Sequence, residues 1–139
     1  MVGTLDGLYA FISSAVRGRD PLNPFRAITG GIIGPDAFDG STATALAGIL
    51  LHFTVATTVV LVFYLASRRI PFIRRHPIPS GLLYGLLVYF VMYGLVIPLS
   101  ALPVSFSDFR PELAPVVVHL FLVGLPAALV VTGRGSRVA

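Results

Sequence analysis

The strongest constraint on this chain is a pair of apolar runs, Thr42–Ala66 and Ser80–Leu102, that flank one basic connection, Ser67–Pro79. Neither run contains an Asp, Glu, Lys or Arg. Each is long enough for a helix to cross a bilayer, which takes about 20 apolar residues. The connection carries four arginines, Arg68, Arg69, Arg74 and Arg75, within eight residues. Basic residues collect on the cytoplasmic side of membrane proteins. The pattern predicts a transmembrane hairpin with a cytoplasmic tip, its arginines near the lipid headgroups.

Composition points the same way. The mean hydropathy is +0.89, and charged residues make up 12% of the chain, about half the share of a globular domain. At 139 residues a single transmembrane domain over 1–139 is expected. A pI near 10.1 would suggest nucleic-acid binding in a soluble protein. Here the arginines sit at the ends of apolar runs, so topology and anionic lipid account for them and no nucleic-acid partner is expected. The absence of cysteine removes disulfides, thiolate metal ligands and cysteine nucleophiles. The N-terminus lacks the basic region of a signal peptide.

Two further spans complete an all-α, four-helix transmembrane bundle, with spans at about 2–17, 42–66, 80–102 and 112–132. The first is marginal in length and contains Asp6; Gly3 and Gly7 suit it to close helix packing. Between spans one and two, Asn23-Pro24 reads as an N-cap followed by proline at the first helical position. Phe25, Ile28 and Ile32 follow at helical spacing, which predicts a short interfacial helix over about 24–33. Asp39 or Ser41 then caps the second span. Pro98 and Pro126 should kink the third and fourth.

Counting arginines orients the four spans. The side of the basic connection and the C-terminal tail holds Arg68, Arg69, Arg74, Arg75, Arg134 and Arg137 and no acid. The other side holds Arg17, Arg19, Arg26 and Arg110, offset by Asp20, Asp36, Asp39, Asp108 and Glu112. Both termini are therefore expected in the cytoplasm.

Ionisable groups at membrane depth are costly and mark candidate sites. At about 1.5 Å per residue, Asp6, His52 and Tyr89 all fall roughly 15 Å deep, with Tyr93 and His119 nearer the outside. Small residues mark the packing faces: Gly48 shares a stripe with His52, and Gly81 and Gly85 share one with Tyr89 and Tyr93. The expected interior set pairs Asp6 with His52, places Tyr89 beside them, and puts Tyr93 and His119 in an upper layer. The two stripes are expected to meet. A proton- or ion-linked pathway would use Asp6, His52 and Tyr89; a plain interhelical hydrogen bond is the simpler alternative. No cofactor or metal is expected. Haem b between His52 and His119, zinc at those two with Asp6, and a quinone on the tyrosine stripe are weaker readings. Asp36 and Asp39 with Asp20 suit turns and caps better than a cation site. No nucleophile–base pair, phosphate loop or nucleotide fingerprint is present, and no enzymatic activity is expected.

Several short segments carry a family resemblance: Gly3-Thr-Leu-Asp-Gly7, Ile28-Thr-Gly-Gly-Ile-Ile-Gly34, Ala37-Phe-Asp-Gly40, Leu51-His-Phe53, Ala66-Ser-Arg-Arg69, Tyr84-Gly85 and Pro98-Leu-Ser100. Over residues 3–103 the chain resembles small bacterial inner-membrane proteins of the YagU-like sort. That resemblance implies a multi-pass inner-membrane protein with no established reaction. The leading expectation is a non-enzymatic accessory or structural subunit of a membrane assembly, partnered by lipid, a second copy or another membrane protein. A small transporter or proton-coupled channel is the alternative.

Overall fold

A computed structural model describes residues 1–105, 107 and 110–133. Among them every regular element is helical, in the order α1 (Val2–Val16), α2 (Asn23–Ile33), α3 (Thr42–Arg69), α4 (Pro71–Arg75), α5 (Pro77–Val91), α6 (Leu113–Val118) and α7 (Leu125–Val131). A wide π-helical turn, Met92–Val96, extends α5, and another, His119–Gly124, joins α6 to α7. Asp108, Arg134 and Arg137 of the charge count lie outside the described residues.

Three helical stretches are long and apolar enough to cross a membrane: Thr42–Arg69, Pro77–Val96 and Leu113–Val131. The most apolar window of α3 is only 22% buried within the protein. Leu46, Leu50, Leu61 and Leu65 all face outward from it. So extended an apolar surface is incompatible with water and suits hydrocarbon. The first helix has 15 residues, about 22 Å at 1.5 Å per residue, which falls short of the roughly 30 Å hydrocarbon core.

The boundaries follow from local chemistry. Ser41 caps α3 by accepting the Thr44 N–H at 3.2 Å. Asp39 shapes the turn before it, accepting from Ser41 N at 2.8 Å and the Thr44 hydroxyl at 3.0 Å. The Asn23 cap expected from the sequence does not form: α2 begins at Asn23 itself, and the Asn23 Oδ1 accepts from Arg26 Nη1 at 3.1 Å. The two prolines act through the turns that precede them. A proline removes one N–H and clashes with the carbonyl four residues earlier. Those carbonyls, of Gly94 for Pro98 and Leu122 for Pro126, fall inside the two π turns. There the backbone bonds from i to i−5, as in Ile97 N–H to Met92 O at 2.9 Å. A wide turn thus absorbs the clash expected to kink each span.

Glycines set which helices touch. A Cβ on Gly48 would strike the Phe25 carbonyl, so α2 crosses α3 backbone to backbone. Thr29 reinforces the crossing by donating its hydroxyl to Thr44 O at 2.7 Å. On the other side of the protein a Cβ on Gly85 would meet the His119 carbonyl, and one on Gly124 would lie 2.6 Å from Gly85 N. The Gly48 and Gly85 stripes, expected from the sequence to meet, do not: each is occupied by a different helix. Between α3 and α5 the joining contacts are near the basic connection: Tyr84 donates to Val59 O at 2.7 Å and its ring packs on Phe63. Towards the far end the two helices part.

Arg26 ties the far end together. It is 4% exposed, with Nη1 donating to Asp20 at 2.6 Å and Nη2 to Gly40 O at 3.1 Å. The Leu22 N–H and then the Arg26 guanidinium hold the Asp20 carboxyl below its usual range. Asp20 and Asp39 make the turn and capping bonds that the sequence suited them to.

Glycine crossings of this kind tolerate no side chain. Gly48→Ala and Gly85→Ala should each destabilise the protein by about 1–3 kcal/mol. Gly94→Ala, where a Cβ meets open space, should stay within about 0.5 kcal/mol of wild type. Thermal unfolding in detergent measures all three.

Candidate functional site

Where α3 and α5 part, a cavity of about 600 Å³ opens between α1, α2, α3, α5 and the α6–α7 stretch. Its lining runs from Val2 and Val123 in the packed interior to Arg17, Ser100 and Glu112 at the helix ends opposite the basic connection. The sequence put Asp6, His52, Tyr93 and His119 at membrane depth, and all four line this one cavity. Tyr89 stands directly behind it, 0% exposed.

His52 is held on α3 but does not pair with Asp6. Its Nε2 is 2.8 Å from the Gly3 carbonyl, so in the neutral ring that nitrogen carries the proton and Nδ1 is left as an acceptor. The ring fits because Gly7 has no side chain: a Cβ there would lie 3.0 Å from Nε2. Phe25 and Phe53 contact it edge-on at centroid distances of 5.9 and 5.5 Å. Glycines at 3 and 7 thus admit both the imidazole and a backbone acceptor, and Asp6 is left over.

His119 belongs to a second cluster. Its Nδ1 lies 2.9 Å from Pro115 O, which makes Nε2 the acceptor in the neutral ring. Its ring meets Tyr89 at 5.6 Å and Tyr93 at 5.7 Å, and the two tyrosines stack at 4.9 Å. Tyr89 therefore joins Tyr93 and His119 rather than His52. It also accepts the Glu112 N–H at 3.1 Å, fixing the start of the last span. Tyr93 sits on the first π turn and His119 begins the second, a backbone form that often accompanies functional sites.

Asp6 faces the cavity on α1 and makes no hydrogen bond or ion pair with any described residue. Tyr9, Tyr93 and Glu112 line the same cavity. Two lining residues on α1, Tyr9 and Ser13, were missed from the sequence. Their signal was available: Asp6, Tyr9 and Ser13 recur at i, i+3 and i+7, a polar stripe down one face of an otherwise apolar helix.

No three His, Cys, Asp or Glu side chains among the described residues come together as a metal site. Axial haem ligation by His52 through Nε2 would first require breaking its bond to Gly3. The arrangement offers instead a mostly apolar chamber, with one carboxylate, two imidazole acceptors and tyrosine rings set in an aliphatic wall. Arg68, Arg69, Arg74 and Arg75 are exposed at the opposite end, where Arg68 donates to the Tyr64 hydroxyl at 3.2 Å.

Substitution at His52 checks the backbone anchor directly. His52→Ala should cost about 1–2 kcal/mol through loss of the Gly3 bond and of ring packing. His52→Gln retains a donor and should recover part of that loss; thermal unfolding in detergent reports both. In comparisons with family models, curated proteins and solved structures, the chain matches none.

Proposed function

We propose that this chain is a multi-pass protein of the bacterial inner membrane that binds a small solute in the cavity and passes it between the membrane and the outer side. In this reading α1 joins the three long helices as a fourth member of one bundle, and α2 lies at the outer interface. The exposed Arg68, Arg69, Arg74 and Arg75 support a cytoplasmic basic connection and cytoplasmic termini. The family resemblance supports the inner membrane.

The observation that carries the reading is the cavity. Small-molecule sites occupy about 300–1,000 Å³. The cavity, about 600 Å³ and open at one side, falls within that range. Its polar lining adds weight, because unpaired ionisable groups at membrane depth are expensive to keep. The reading as an accessory subunit stands second. It has no single contact behind it, and a stoichiometric membrane partner on mild purification would favour it.

The cysteine-free sequence allows a clean test. Single cysteines would be placed at Ala10 in the cavity wall, Val104 in the outer loop and Ile73 in the basic connection. In right-side-out vesicles a membrane-impermeant thiol reagent should label positions 10 and 104 and spare 73. Protection at position 10 would refute a solvent-reachable chamber, and labelling at 73 alone would invert the topology.

A further inference from the structure

The hydrogen-bonding sense of the chamber narrows what it can hold. Both imidazoles that line it have one ring nitrogen tied to a backbone carbonyl, His52 Nε2 to Gly3 O and His119 Nδ1 to Pro115 O. In the neutral rings the other nitrogen of each is an acceptor. Each side chain is only 9% exposed, and neither free nitrogen has a partner among the described residues. Beside them is the Asp6 carboxylate, an acceptor that likewise has no partner among those residues. The Ser13 hydroxyl donates to Ala10 O at 3.1 Å and so also offers only an acceptor, while the Tyr9 and Tyr93 hydroxyls donate or accept as required. The described interior of the chamber therefore has fixed acceptors and no fixed donor.

Charge runs in the same direction. Among the described residues Asp6 is the only charged side chain lining the chamber away from its rim; Arg17 and Glu112 occupy the rim, where they oppose each other and water screens them. A carboxylate in apolar surroundings calls for a cation or a proton. Aromatic faces attract cations, and Tyr9, Tyr93 and His119 line the same chamber as Asp6. A hard inorganic cation would want a shell of oxygens, whereas the rest of this wall is mainly valine, isoleucine, leucine and alanine.

From these observations we infer that the chamber is a site for an organic ammonium ion with an apolar body, its N–H groups directed to Asp6 and His119 and its body against the aliphatic wall. The inference rests on the solute-binding reading above. It adds the chemical class: primary or secondary amines are accepted, and neutral isosteres and anions of the same shape are disfavoured.

The test uses the full chain carrying Ala10→Cys as a reporter, in vesicles, with three matched probes: 2-phenylethylamine, 2-phenylethanol and phenylacetate. Binding is read as protection of the introduced thiol from the impermeant reagent. The amine should protect at a concentration about tenfold or more below the alcohol, with phenylacetate weakest. Asp6→Asn should bring the amine to the level of the alcohol and leave the alcohol unchanged; Asp6→Glu should retain most of the preference. If Asp6→Asn does not fold, Tyr93→Leu substitutes for it and should weaken the amine several-fold with no effect on the alcohol. Equal protection by amine and alcohol, or a preference that survives Asp6→Asn or Tyr93→Leu, overturns the inference, while a thiol that labels in the absence of probe leaves the solute-binding reading standing. A thiol that stays unlabelled without any probe overturns both.

Discussion

Everything distinctive about this protein depends on how closely helix backbones approach at a few glycines. In hydrocarbon, apolar bulk gains little by leaving lipid for a protein interface, so association relies on close packing and on polar contacts between helices. Gly48 lets α2 lie directly on α3, and Gly85 with Gly124 does the same for α5 and the last span. Because those two crossings pull α3 and α5 towards different partners, the central pair is joined near its basic end and spread at the other. The cavity is the space that this spreading leaves. Polar groups then line it because the helices that carry them are committed elsewhere by their small residues.

The polar groups are held by backbone rather than by one another. Both histidines anchor to carbonyls, and one of those carbonyls, at Pro115, belongs to the histidine's own helix. Such anchoring fixes which ring nitrogen points away as an acceptor. It leaves Asp6 uncompensated, the opposite of what a structural ion pair would do. A buried pair that cancels its own charge would be a packing device; a carboxylate without a protein partner inside an open chamber is left to water or to a bound group.

Much of this was legible in the sequence, and the limits are physical. The long apolar helices were clear because twenty uninterrupted apolar residues have few other fates. The shared level of Asp6 and His52 followed from the regular rise of a helix, as did the gathering of Tyr93 with His119. Partner choice was harder. Gly48 and Gly85 were recognised as packing residues, but a glycine announces a close approach without naming what approaches. Helical rise also says nothing of rotation, so Asp6 and His52 came out level yet unpaired. Arg26 was counted as one more arginine of the weakly basic side, whereas its guanidinium is buried and bonded to the turns on either side of its helix. The π turns were visible only as prolines expected to kink their helices.

The two tight crossings have a consequence for how the molecule is put together. Phe25 with Gly48, and Gly81 and Gly85 with His119 and Gly124, are each local to one half of the chain, on either side of the basic connection. Each half can therefore complete its own tightest contact as it enters the membrane, without waiting for the other. Contacts between the halves, through α1 with the second π turn and α3 with α7, come from longer range and carry a larger loop-closure cost. The protein is in this sense a pair of preassembled clasps joined by one arginine-rich strap, and its chamber is the seam where they close.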